Sequence, residues 1–141
     1  MSRDITLARQ LGADGVVLGL LTANGRVDAR LTQQLVRAAR PLDVTFHRAI
    51  DEVPNLAEAM ERLAWCKVDR VLTSGGAATA SQGAPTIAAM VRQAGARVVV
   101  TAGGKVRSRN AARLVEKTGV REVHLRGRDA GQVRGVVQAL R

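Results

Sequence analysis

The chain has 141 residues, of which 46% are hydrophobic and 24% charged, with a formal net charge of +10. That length supports one domain with a real core, and that balance excludes a disordered or membrane-embedded chain. A single cysteine, Cys66, excludes an intramolecular disulfide framework and a CxxC metal site.

A short helical piece from Ile5 to Leu11, closed by Gly12, opens the chain. Five β-type runs follow: Gly15-Val-Val-Leu-Gly-Leu-Leu21, Leu42-Asp-Val-Thr-Phe-His47, Asp69-Arg-Val-Leu-Thr73, Arg97-Val-Val-Val-Thr101 and Arg121-Glu-Val-His-Leu125. Measured from Gly15, Asp43, Arg70, Arg97 and Glu122 the spacings are 28, 27, 27 and 25 residues, the mark of a repeated supersecondary unit. Helical stripes separate the runs. Asp28 caps a helix carrying Leu31, Leu35 and Ala38. Leu56, Ala59, Met60 and Leu63 form the next stripe, and Ile87, Met90, Val91 and Ala94 the third. Ala111, Leu114 and Val115 make the fourth, and Val133, Val136, Val137 and Leu140 the last.

Strands alternating with helices require a parallel sheet with helical crossovers. No linker or composition break divides residues 1–141, so a single domain is expected. Five parallel strands satisfy either a flavodoxin-like sandwich, which would make a self-contained binding module, or five-eighths of a (β/α)8 barrel. No apolar run approaches the roughly 20 residues that span a bilayer. The first residues, Met-Ser-Arg-Asp, carry no apolar stretch of a secretory signal, which points to the cytoplasm and away from a membrane.

The charge is uneven. Residues 1–91 hold ten Lys and Arg against nine Asp and Glu, whereas residues 92–141 hold twelve against three. Because 19 of the 22 basic residues are Arg, general compositional bias explains the excess. Trp65 and Phe46 are the sole aromatics, so bases would find no stacking platform, which argues against nucleic acid as a partner.

Candidate site residues collect at strand ends. Side chains alternate along a strand, so Thr45 and His47 share one face while Val44 and Phe46 share the other. His47 can serve as an acid/base group or a ligand, Arg48 as an anion clamp or a partner for Asp51; ordering the local loop is the competing role for both His47 and Asp51. Thr73-Ser74-Gly75-Gly76 and Thr101-Ala102-Gly103-Gly104 each follow a strand and precede a helix. Their glycines permit a tight turn, which is the competing role of each loop, and expose N–H groups to a phosphate or carboxylate, with Lys105 either adding a point charge or simply exposed. Thr45 and Thr73 are expected at nearby levels, free to bond a ligand. Glu122 and His124 share a face and could pair, although a Glu at the base of the strand is the preferred reading. Soft donors for copper are scattered over Cys66, Met1, Met60 and Met90, where Met60 and Met90 read as core filler and Cys66 as a small buried hydrophobe.

Three motifs carry a resemblance to one family. Gly12-Ala-Asp-Gly-Val-Val17 with Gly19-Leu-Leu-Thr-Ala-Asn-Gly-Arg-Val-Asp28 is the first. Val44-Thr-Phe-His-Arg-Ala49 with Asp51 is the second, and Arg70-Val-Leu-Thr-Ser-Gly-Gly76 followed by Thr79, Ala80 and Gly83 is the third. Together they resemble the CutC proteins, named for copper homeostasis, over nearly the whole chain. The resemblance implies a (β/α)8 TIM-type barrel with its first three strand-helix units missing, entered at the helix after the third strand. It also implies a cytoplasmic role in copper handling, with copper as the metal concerned and no ligand set assigned. The alternative is a barrel enzyme acting on a small phosphorylated or carboxylated substrate. Two departures stand out. Gly103-Gly104-Lys105 occupies the place of a glycine triplet, and His124-Leu125-Arg126 that of a His-Ser ending, after which the chain passes almost directly to Asp129 and the last helix. With three units absent, open strand edges are expected to expose interior apolar groups and to favour homo-oligomers.

Overall fold

A computed structural model describes residues 1–127 and 130–141; Asp129, placed by the sequence before the last helix, lies outside the described residues. The elements in chain order are α1 (Ser2–Gln10), β1 (Gly15–Leu18), α2 (Ala29–Ala39), β2 (Asp43–Phe46), a 3-10 turn (Arg48–Glu52), α3 (Leu56–Trp65), β3 (Arg70–Thr73), α4 (Ala84–Ala94), β4 (Val99–Gly103), α5 (Ser108–Thr118), β5 (Glu122–His124) and α6 (Ala130–Ala139).

The five strands pair in parallel and in the order β1-β2-β3-β4-β5. Each helix packs on the next in chain order, which puts the six in one layer. A doubly wound sandwich would reverse the strand order partway and place helices on both faces. The sequential order therefore excludes the flavodoxin-like arrangement and leaves a segment of a (β/α)8 barrel.

Local chemistry explains the boundaries. Asp28 caps α2 by accepting a hydrogen bond from the Leu31 N–H at 3.0 Å, and Asn55 caps α3 in the same way through the Glu58 N–H at 3.0 Å. Gly12 follows α1 at φ +75°, a left-handed backbone that few other residues enter without strain.

Alternation then sorts the sheet. Val44, Phe46, Val71, Thr73, Val100 and Ala102 are buried under the helices. There they meet Leu35, Met60, Leu63, Ile87, Met90 and Leu114 in one continuous core. The opposite face carries Asp43, Thr45, Arg70, Leu72, Thr101, Glu122 and His124 beside Val17 and Val99, so it is more polar than the interior apolar surface expected from the sequence. Further exposed apolar groups lie on the outer elements, Leu7 and Leu11 at one end of the helical layer and Val133, Val137 and Leu140 at the other. Of the apolar stripe read into the last helix, Val136 alone is buried.

No described helix is long and apolar enough to cross a membrane. Because Phe46 is fully buried and Val17 is 66% exposed, the two strands give a sharp contrast. Phe46→Ala should cost about 3–5 kcal/mol in a denaturant melt, whereas Val17→Ala should stay within about 0.5 kcal/mol; a larger cost at Val17 than at Phe46 would mean that the faces are assigned the wrong way round.

Candidate functional site

His47, Arg48 and Asp51 enter the site together, because β2 ends at Phe46 and the chain turns at once into the 3-10 segment. His47 caps that turn: its Nδ1 accepts the Ala49 N–H at 3.1 Å, so in the neutral ring the proton sits on Nε2. The imidazole packs closely against Gly19, just past β1. A Cβ at Gly19 would stand 2.7 Å from Nε2 and nearer still to Cε1 and Nδ1, so any larger residue there displaces the ring.

Asp51 turns inward. Its side chain is only 4% exposed. Oδ1 accepts the Thr73 hydroxyl at 2.5 Å, the Gly76 N–H at 3.0 Å and the Ser74 N–H at 3.1 Å. Oδ2 accepts the Ser74 N–H at 3.0 Å and Arg48 Nε at 2.8 Å. Ser74 Oγ stands 3.0 Å from the same oxygen and 2.6 Å from the Ala77 carbonyl, which its one proton serves in turn, while it accepts Arg48 Nη2 at 2.7 Å. Burial alone would push the Asp51 carboxyl up. The donors from Thr73, Arg48, Gly76 and Ser74 outweigh it and hold the group below the usual carboxylate range.

This corrects the sequence reading of the Thr73–Gly76 loop. The N–H groups of Ser74 and Gly76 were expected to face a ligand; they face Asp51 instead, and the Gly75 N–H goes to Thr73 Oγ1 at 2.8 Å. The cradle is filled by the chain's own carboxylate. Thr73, fully buried among the helices, also leaves the face occupied by Thr45, because the register sets Phe46 beside Val71 and so puts Thr73 in the row of Phe46. Thr45, half-buried on the open face, keeps its accessibility.

The loop after β4 closes against this unit. The Ala80 N–H donates to the Gly104 carbonyl at 3.0 Å, and Asn110 ties the Lys105 carbonyl (3.1 Å) and the Arg107 N–H (2.8 Å) to the start of α5. At Gly104, with φ +108°, a Cβ would come within 3.1 Å of Ser74 Cβ and 3.5 Å of Arg48 Nη1. The two glycine loops and Arg48 therefore meet.

A cleft of about 440 Å³ opens where they do. Arg48, Lys105, Arg107, His124 and Arg126 supply its polar rim, with Leu72, Val106 and Leu125 among its apolar walls. Among the described residues that line it there is no carboxylate. Of the residues given a binding or catalytic role from sequence, Arg48, Gly104 and Lys105 line this cleft. Gly103 packs under it against Leu72, and His47, Asp51 and the Thr73–Gly76 loop stand behind Arg48. Arg107, His124 and Arg126 complete it. Arg126 was discoverable from its place two residues beyond β5, since the same rule that picked Lys105 applies to it.

Glu122 does not pair with His124. It receives Arg70 Nε at 2.5 Å and Nη2 at 3.0 Å, with Thr101 Oγ1 at 2.9 Å. The Arg70 guanidinium draws the carboxyl below its ordinary range. It clamps β3 to β5 across β4, as a residue low on the strand would.

Copper fits these residues poorly. Cys66 is buried with its thiol on the Ala29 carbonyl at 3.2 Å, and Met60 and Met90 are buried in the helix-side core. His47 follows β2 and His124 ends β5, with β3 and β4 between them. Among the described residues no group of three or more His, Cys, Asp or Glu could hold a metal ion.

Parallel strand-helix units whose chemistry gathers at the strand carboxyl ends define a barrel-type α/β protein. A model of the CutC family matches residues 1–129, and the chain belongs to that family. A CutC family protein of Bacteroides thetaiotaomicron is 45% identical over 130 residues, 92% of this chain and 52% of that protein. The chain thus spans about half the length of the curated relatives it matches. A solved protein from Streptococcus agalactiae, provisionally named a copper homeostasis protein CutC, superposes with a TM-score of 0.82 at 30% identity, covering 87% of this chain and 60% of the other. A structure named native KDPGal gives 0.69 at 14% identity over 99% of this chain and 64% of the other, a likeness of fold alone.

Two outcomes follow from Asp51. Since its folded value is lowered, its contribution to stability is complete above the unfolded carboxylate range near pH 4 and disappears as pH falls through the folded value. Asp51→Asn should therefore flatten the acid side of the stability–pH curve. Asp51→Ala, which orphans the Ser74 and Gly76 N–H groups, should cost about 2–4 kcal/mol. An unchanged melt would remove Asp51 from its organising place.

Proposed function

We propose that the cleft binds a small phosphorylated or carboxylated molecule. The observation that carries this is the rim of Arg48, Lys105, Arg107 and Arg126, four basic side chains and a histidine around one opening, with no carboxylate among the described residues that line it. Its volume suits a metabolite-sized ligand. The apolar walls would hold the ligand's body while the cations take its anionic end.

Within this reading the three residues of the β2 motif divide the work. Arg48 faces the ligand, Asp51 and Ser74 fix the angle of its guanidinium, and His47 caps the turn that carries it. His47 then acts through position rather than as the acid/base group. His124, which lines the cleft, is the better placed imidazole for proton transfer in an enzyme reading.

A copper role comes to this chain from the name of the Streptococcus agalactiae relative and stands second, because the soft donors do not gather. It predicts stoichiometric Cu(I) uptake against a competing chelator, lost in Cys66→Ser. The exposed apolar groups on the outer elements also support association of copies, which sedimentation would read as a mass that rises with concentration.

Calorimetric titration with inorganic phosphate tests the main reading. Lys105→Ala combined with Arg126→Ala should weaken binding at least about tenfold with the melting temperature unchanged. His47→Ala should lose about 1 kcal/mol of stability together with part of the affinity, and His47→Asn, which can cap the same turn, should restore both. If phosphate binds equally well to the Lys105/Arg126 double variant, the cleft is not the site.

A further inference from the structure

One surface away from the mouth is explained by no ligand site. Trp65, the chain's single tryptophan, ends α3 with 60% of its area exposed. It borders a groove of about 530 Å³ between α2 and α3, floored by Val36 and Cys66 and edged by Arg37, Arg40 and Lys67. The groove opens because α2 and α3 touch least of all the neighbouring helix pairs. Both helices are interior to the layer, with α1 packed on α2 and α4 on α3, so this exposure does not arise at an open edge of the sheet. Arg40 and Lys67 precede β2 and β3, which puts the groove toward the amino ends of the strands, opposite the cleft.

The charges on its rim differ in state. Arg40 is committed, bonding Asp69 at 2.7 Å and the Lys67 carbonyl at 2.6 Å. Arg37 and Lys67 make no ion pair with any described residue. Lys67 is also strained. The Lys67 N–H returns to the Ala64 carbonyl at 3.1 Å and the Val68 N–H to that of Leu63 at 3.2 Å, which makes Lys67 the left-handed residue of a Schellman turn at φ +63°. Glycine is the usual occupant of that position. A lysine there carries a backbone cost and sets an unpaired cation beside the exposed indole.

We propose that this groove docks an acidic segment of a partner protein. An aliphatic side chain of that segment lies over Val36 against Trp65, and flanking carboxylates meet Arg37 and Lys67. Charge selects this occupant over a second copy of the chain, whose net charge of +10 would be repelled from a basic rim.

Because the chain holds one tryptophan and no tyrosine, its emission reports this groove alone. The full chain is titrated with a peptide of alternating Glu and Leu that lacks aromatic residues. A saturable blue shift that weakens with salt is expected. Arg37→Ala and Lys67→Gly should each lower the affinity about threefold to tenfold. Lys67→Gly is decisive, because glycine suits the left-handed position: the variant should melt at or above the parent temperature and still bind less well. The Lys105→Ala/Arg126→Ala variant should titrate like the parent. Undiminished affinity in Arg37→Ala/Lys67→Gly would overturn the proposal, as would loss of binding in the cleft variant. Emission that shifts with protein concentration alone would assign the groove to a second copy, and a response to anionic vesicles but not to the peptide would assign it to a lipid surface; either result rejects the acidic segment.

Discussion

The mouth of this sheet depends on one buried carboxylate. Asp51 gathers two backbone N–H groups, two hydroxyls and a guanidinium onto a side chain that is almost out of water. Each of those donors would be costly if left alone there, and the carboxylate would be costly without them, so the group stands or falls as a unit. From it the dependence spreads outward. Ser74 fixes Arg48; the loop after β3 supports Gly104; Gly104 receives Ala80, and Asn110 passes the position of Lys105 and Arg107 into α5. The cations of the cleft are long side chains on an anchored backbone, and that of Arg48 is itself held by Asp51 and Ser74. That division suits a binding site, which needs fixed origins more than fixed tips.

Much of this arrangement was legible before any coordinates. The 25-to-28-residue repeat located all five strands, the Asp28 cap began the second helix where it does, and the placement of Met60, Met90 and Cys66 in apolar surroundings held. What the sequence did not carry was register. Thr45 and Thr73 look equivalent, since each lies near the carboxyl end of an apolar run. Yet pairing Phe46 with Val71 places them on opposite faces, and strands 27 residues apart have no local signal that fixes such parity. The same distance hid the true destination of the Ser74 and Gly76 N–H groups. A glycine loop before a helix reads as an empty anion cradle unless the acid that fills it, more than twenty residues upstream, is already in place.

Family membership and local chemistry answer different questions here. The chain matches CutC proteins over most of its length and covers about half of theirs. The name attached to a solved relative speaks of copper, while the side chains that meet at this mouth are guanidinium and ammonium groups with one imidazole and no thiolate or thioether, a set suited to oxyanions more than to Cu(I). Fold does not assign chemistry, and in this chain the site argues for its own.

The strand order has a kinetic consequence. Each strand pairs only with the one before and the one after it in the chain, so every interstrand closure spans a loop of nearly the same length. No strand pairing waits on a distant segment; a longer-range contact such as Arg70 with Glu122 follows once β4 is in place. The entropy of each closure is therefore similar and modest, and the relative contact order is lower than a sheet with reversed strand order would need. Such a chain can assemble by zipping outward from any formed strand-helix-strand unit, with the edge strands joining last and leaving first.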